Sequence, residues 1–134
     1  MKVLVDTSVW SSVLRRKTSS DDVITVEFRG LVEELRARMI GPIRQEILSG
    51  ILTYSHFEVV RDHLRAFWDL DMITLDYERA AEFFNICRSK GIQGSNTDFL
   101  ICAVSERHNV PIFTTDKDFE YFVRYLPIRL HRPE

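Results

Sequence analysis

The strongest constraint on the fold lies at the start of the chain. Three branched apolar residues, Val3, Leu4 and Val5, are stopped by an acid, Asp6, and by two hydroxyls, Thr7 and Ser8. The run is long enough for a buried strand and too short for a helix. The hydroxyls then offer caps to a helical stretch. In open α/β sheets, ligands bind at the carboxyl ends of parallel strands, so Asp6 is either part of a site or a helix cap. Its position alone does not choose between the two. Other acids arriving at the same place would.

Later segments follow the same plan. Val9, Trp10, Val13 and Leu14 recur at helical spacing and end in Arg15, Arg16 and Lys17, cations that suit a helix C-terminus or a phosphate-facing patch. Thr18 to Asp22 reads as an exposed polar loop. From Val23 to about Arg38, Ile24, Phe28, Leu31 and Leu35 line one face of an amphipathic helix. Met39 and Ile40 form a strand stub, and Gly41-Pro42 opens a helix that carries Glu46 in its second turn and ends at Gly50. Ser55 to Glu58 reads as a capping box. Met72 to Leu75 reads as a third strand, with Asp76 capping a helix that Gly91 stops. The loop from Gly91 to Thr97 leads into Asp98 to Val104, apolar all round and so a central buried helix. Asn109 and Pro111 end it. Ile112 and Phe113 form a fourth strand, after which Thr114, Thr115 and Asp116 repeat the opening pattern. Phe119, Phe122 and Leu126 suggest a last helix, and Ile128 to Leu130 an edge strand. Strands alternating with helices predict an α/β fold with a parallel sheet and right-handed crossovers.

The totals fit one domain spanning 1–134, with a core large enough to need no disulfide or structural metal. No apolar run approaches a membrane span or a signal-peptide core, so a cytoplasmic location is expected. Cys87 and Cys102 lack zinc or redox spacing and read as packed thiols. His56, His63, His108 and His131 share no metal spacing and are assigned no catalytic role. The formal charge of −2 argues against a nucleic-acid partner only until bound cations are counted, since one divalent ion would bring it to 0.

Four acids stand out: Asp6 and Asp116 after strands, Glu46 early in a helix, and Asp98 at the head of the most apolar helix. No lysine or arginine between Ser95 and Val104 can pair locally with Asp98. Such an acid should therefore cap its helix, find a partner or bind a cation. Ser95, Asn96 and Thr97 compete for the capping role. If the four acids converge, their repulsion raises their pKa values unless a hard cation neutralises them. Oxygen-only ligands favour Mg²⁺ or Mn²⁺, and such a site can activate water and clamp a phosphate.

Val3 to Ser8, Glu46, Asn96 to Ala103 and Thr114 to Phe119 resemble the successive motifs of the PIN domain, and more narrowly those of VapC-type toxins of toxin–antitoxin pairs. The resemblance covers the whole chain. It implies a Rossmann-like α/β/α sandwich around a mainly parallel sheet of four to five strands. It also implies an endoribonuclease that uses one or two Mg²⁺ or Mn²⁺ ions and metal-activated water to cut single-stranded loops of tRNA or ribosomal RNA. The family's catalytic, metal-binding acids carry over onto Asp6, Glu46, Asp98 and Asp116. Asp118 matches a further acid, or caps the last helix. Thr7, Ser8 and Thr115 match polar positions that orient carboxylates, and Asn96 stands where some relatives carry another acid. Arg15, Arg16, Lys17 and Arg44 are candidate RNA contacts or plain surface charges. The resemblance further implies a homodimer and a small antitoxin of VapB type, with the Val23 to Arg38 helix as part of its groove. The alternative is a non-catalytic PIN-like module that binds RNA or protein. A haloacid-dehalogenase phosphatase needs a second Asp where Ser8 stands, and a receiver domain needs an acidic pair that Asp6-Thr7 does not supply.

Overall fold

The computed structural model describes residues 1–15 and 22–133. At its centre, β1 (Val3–Val5) is wholly buried and pairs in parallel with β2 (Ala37–Arg38) on one side and β3 (Ile112–Phe113) on the other. The register sets Val3 opposite Ala37 and Leu4 opposite both Arg38 and Ile112. Two single parallel bridges, Met39 with Asp69 and Ile112 with Leu130, extend the order β2-β1-β3 at both edges. Five chain segments therefore lie side by side. Three form ladders and two touch at one residue each.

Helices α1 (Thr7–Arg15), α2 (Val23–Glu33), α3 (Gly41–Ser49), α4 (Tyr54–Leu64), α5 (Thr74–Ser89), α6 (Asn96–His108) and α7 (Asp118–Phe122) surround this sheet. Trp10 anchors α1. Its indole N–H donates to the Val5 carbonyl at 3.1 Å, and its ring meets Phe28 and Phe67 edge-on at 4.9 and 4.8 Å. Helix α6 is the central buried helix that its composition predicts, with Phe99 and Ile101 to Ser105 all buried. It is joined to α5 by Arg107, which donates to both oxygens of the buried Asp76 at 2.8 and 2.9 Å. Asn109 ends α6 in the left-handed conformation.

Local reading and structure part in four places. The apolar periodicity that runs on to Arg38 stops as a helix at Glu33. Leu35 turns left-handed (φ 59°) and is exposed, and Ala37 and Arg38 are drawn into the β1 ladder. The second strand thus precedes Met39. The expected strand at Met72 to Leu75 is absent, and its pairing occurs earlier, at Asp69. Asp76 accepts the Ile73 N–H at 2.9 Å and so starts α5 upstream of itself, taking Thr74 and Leu75 into the helix. Ser55 opens no capping box, because α4 begins at Tyr54 after Thr53 with no side-chain cap. Its first turn is exposed, where water serves the free N–H groups. Ile128 to Leu130 contributes one bridge rather than a strand.

The packing that matters most for the site is between α7 and the loop before α6. A methyl group added at Gly94 would lie 2.7 Å from the Phe122 ring and 2.9 Å from that of Phe99. The Gly94→Ala variant should therefore lose about 1–3 kcal/mol of stability, read as a lower midpoint in urea with an unchanged slope. A midpoint equal to wild type would show that this contact has slack.

Candidate carboxylate site

Asp6 follows β1 and is 4% exposed. Its backbone N–H continues the ladder to the Phe113 carbonyl at 2.8 Å, and its carbonyl accepts from Val9 and Trp10 to start α1. The side chain accepts through Oδ2 alone: from Ser8 Oγ at 2.7 Å, from Thr114 Oγ1 at 2.7 Å and from the Ser8 N–H at 3.4 Å. Thr114 Oγ1 in turn accepts the Asp116 N–H at 3.0 Å, so the acids after β1 and β3 are linked through one hydroxyl.

Asp98 sits in the first turn of α6 in a reciprocal capping box. Its Oδ2 accepts the Ser95 N–H at 3.0 Å, while Ser95 Oγ accepts the Asp98 N–H at 3.1 Å. The cap uses Oδ2 and leaves Oδ1 without a hydrogen bond among the described residues. Burial pushes the Asp98 carboxyl up to about 6, and the charges of Asp6 and Asp116 add to the rise against the pull of the Ser95 hydrogen bonds. Asp116 accepts the Asp118 N–H through Oδ1 at 2.9 Å, which leads the chain into α7. Glu46, on the exposed face of α3, accepts from Thr7 Oγ1 through Oε1 at 2.7 Å.

One pattern is common to all four acids. Each has one oxygen held by a hydrogen bond, and the other has none among the described residues. Among the described residues no buried side-chain oxygen lacks a partner, so these second oxygens are not sealed in the core. As the side chains stand, no three histidine, cysteine or acidic groups among the described residues already form a metal-holding cluster. The fit to a hard cation rests instead on donor chemistry: oxygen-only groups, positioned through one atom, with mutual repulsion that a cation would relieve.

The remaining predicted residues fall in different places. Thr7 and Ser8 orient Glu46 and Asp6. Thr115 contributes its backbone N–H to Ser8 Oγ at 3.1 Å, and the hydroxyl that touches Asp6 belongs to Thr114. The register could have found it, since Val5 opposite Phe113 places Asp6 opposite Thr114. Asp118 starts α7, with its N–H capped by Asp116. Asn96 lines a groove of about 500 Å³ with Tyr77, Asn85 and Leu100. Arg15 is exposed and shares a groove with Glu46. Arg16 and Lys17, and the polar loop up to Asp21, lie outside the described residues. Arg44 is not a free substrate contact. Its guanidinium donates to the carbonyls of Leu64 and Phe67 at 2.9 and 3.2 Å and to Asp69 at 2.6 Å, holding the end of α4. Cys87 and Cys102 are free and buried, and burial raises both thiols.

The family model of the PIN domain matches residues 3–124. The chain belongs to the PIN domain family. Among solved structures, DNA-bound VapBC from Salmonella typhimurium matches with a TM-score of 0.78 at 18% identity, covering 98% of this chain and 97% of that one. VapBC2 from Rickettsia felis bound to a promoter DNA fragment matches at 0.75 and 14%, over 100% of both chains. FitAcB from Neisseria gonorrhoeae matches at 0.71 and 15%, over 98% and 97%. At these identities the likeness is one of fold. No curated protein sequence matches the chain. Among the described residues, no helix is long and apolar enough to cross a membrane.

The raised Asp98 group predicts a pH dependence in the metal-free protein. A carboxyl raised from its ordinary value to about 6 favours the folded state fully below the ordinary value, and this contribution is lost as pH rises through about 6. In EDTA, wild type should lose melting temperature relative to Asp98→Asn between pH 4.5 and pH 7.5, by about a few degrees. Parallel profiles for the two proteins would show that Asp98 titrates normally.

Proposed function

We propose that this PIN domain is the toxin of a type II toxin–antitoxin pair, a divalent-metal-dependent endoribonuclease that hydrolyses RNA phosphodiesters. The observation that carries the reading is the half-held state of Asp6, Glu46, Asp98 and Asp116, each fixed through one oxygen with the other left for a ligand. PIN domains are in general nucleases that use divalent cations. Mg²⁺ or Mn²⁺ bound here, as one or two ions, would supply a Lewis acid that acidifies water and offsets phosphate charge. Asp6 and Asp98 would be its chief ligands, with Glu46 and Asp116 completing the set.

The chain's own part is positioning. Ser8 and Thr114 fix Asp6, Ser95 fixes Asp98, Thr7 fixes Glu46, and the Asp118 N–H fixes Asp116, so little reorganisation is needed when RNA arrives. Water attacks phosphorus in line and the 3′ oxygen leaves, which gives 5′-phosphate and 3′-hydroxyl ends without help from the ribose 2′-hydroxyl. The substrate is an unpaired loop of tRNA or ribosomal RNA, since single-stranded bases are the ones a protein reads by sequence. Arg15, beside Glu46, is the candidate phosphate contact.

The fold's solved relatives include a toxin–antitoxin complex, and an antitoxin is assigned to this chain on the same reading. The reading of α2 as part of an antitoxin groove is supported by an apolar trough of about 440 Å³ between α1, α2 and α4, lined by Trp10, Phe28 and Phe67. A VapB-like segment lying there would cover Val59 of α4, which is more than half exposed. The working unit is a homodimer in the cytoplasm.

Purified protein should cut total cellular RNA into discrete fragments with Mg²⁺ and not with EDTA. Asp98→Asn and Asp6→Asn should each slow cutting by at least about a hundredfold with the fold intact. Thr114→Val, which removes only the hydroxyl that holds Asp6, should slow it about tenfold. Full activity in a folded Asp6→Asn protein would overturn the assignment. Absence of cleavage by folded, antitoxin-free wild type would favour a non-catalytic module that binds RNA or protein.

A further inference from the structure

The exposed face of α7 is the molecule's other chemically unusual surface. Phe119, Phe122 and Leu126 point into the core, and the chain keeps turning beyond Phe122, with Tyr125 and Leu126 N–H groups both donating to the Phe122 carbonyl. Asp118, Tyr121 and Tyr125 consequently share the opposite face at helical spacing. Tyr121 is 48% and Tyr125 44% exposed. Each ring has a cation packed over it: Arg124 Cζ stands 5.3 Å from the Tyr121 centroid, and Lys90 Nζ 5.6 Å from that of Tyr125.

These cations differ from the arginines that are locked within the fold. Arg44, Arg79 and Arg107 are held by carboxylates within the fold. Among the described residues, Lys90, Lys117 and Arg124 take part in no ion pair, and all three are exposed. Glu120, an acid on the same helix, is neutralised by two bonds from Arg132 at 3.0 and 3.1 Å. The patch is therefore aromatic, carries Asp118 and is flanked by three exposed cations, and it adjoins the acids along the chain. Lys90 precedes the loop that delivers Asp98, Gly94 of that loop packs on Phe122, and Asp116 leads directly into α7.

We infer that this face of α7, with Tyr121, Tyr125, Lys90 and Arg124, holds the single-stranded RNA that flanks the bond to be cut. Acids repel the phosphate backbone, so an RNA held only at the carboxylates would be held poorly. Unpaired cations beside them supply the attraction, and half-exposed rings supply sequence-tolerant stacking for unpaired bases. A duplex offers no free base faces and would gain only the charge term. The inference rests on the ribonuclease reading above.

The test uses the full chain in EDTA, so that binding is read without cutting, and a short fluorescein-labelled single-stranded RNA of mixed sequence. Fluorescence anisotropy should show Tyr121→Ala with Tyr125→Ala weakening binding roughly five- to a hundredfold, with the matching phenylalanine variants within about twofold of wild type. Lys90→Gln with Arg124→Gln should flatten the dependence of log affinity on log salt by about 0.7 per lost phosphate contact. If the alanine pair fails to fold, the single variants and the salt slope make the same comparison. Wild-type affinity in the folded alanine variants, with wild type itself binding and cutting RNA, would remove the patch from the site and leave the nuclease intact. Unchanged RNA affinity with an altered sedimentation coefficient would make the face a contact between copies and overturn the inference. Wild type that neither binds nor cuts RNA would take away the ribonuclease reading itself.

Discussion

The hydrogen bonds at Asp6 join more of this structure than any other contact. Its N–H closes the β1–β3 ladder, its carbonyl begins α1, and its carboxylate ties Ser8 to Thr114. A carboxylate this buried is costly without partners, and three donors converge on a single oxygen to offset that cost. The same bonds that make burial tolerable also aim the second oxygen. Stability and site geometry thus come from one set of contacts at the end of the central strand.

The other acids repeat this economy at lower burial. Asp98 secures the first turn of α6 with Ser95, Asp116 leads the chain into α7, and Glu46 is steered by Thr7 from another helix. Local capping and a place at the site look like rivals along the chain. In three dimensions a carboxylate has two oxygens, and capping with one leaves the other open. The price is repulsion, visible at Asp98, where burial and the charges of Asp6 and Asp116 all oppose ionisation. Like charges brought near Asp98, whose own stretch from Ser95 to Val104 has no lysine or arginine, suit that carboxylate to a cation.

The cations divide in the opposite sense. Arg107 clamps Asp76 and reaches Asp71, Arg79 takes Glu106 through two bonds, and Arg44 closes over the end of α4. These partners lie 20 to 36 positions away along the chain. No reading of neighbours could separate such structural arginines from free ones. That is why Arg44 reads as a candidate substrate contact from sequence, and why the tyrosine-lined face of α7 does not stand out there.

Much of the plan was legible residue by residue. An apolar run ended by an acid and hydroxyls can hardly be anything but a strand feeding a helix, and its recurrence at Ile112 to Asp116 points to a parallel sheet with acids at one end. The helix stops at Gly91 and Asn109, both left-handed, follow from local stereochemistry. Strand placement at the edges was not legible, because ladder energy belongs to pairs. Ala37 and Arg38 are extended only because β1 lies beside them, and Leu35 turns left-handed to deliver them. By itself the sequence determined the acids, their order and the element types, all consequences of side-chain chemistry and near neighbours. Only the tertiary structure decided which hydroxyl holds which carboxylate, which arginines remain free and which oxygens are left open, because those depend on atoms brought together from distant parts of the chain.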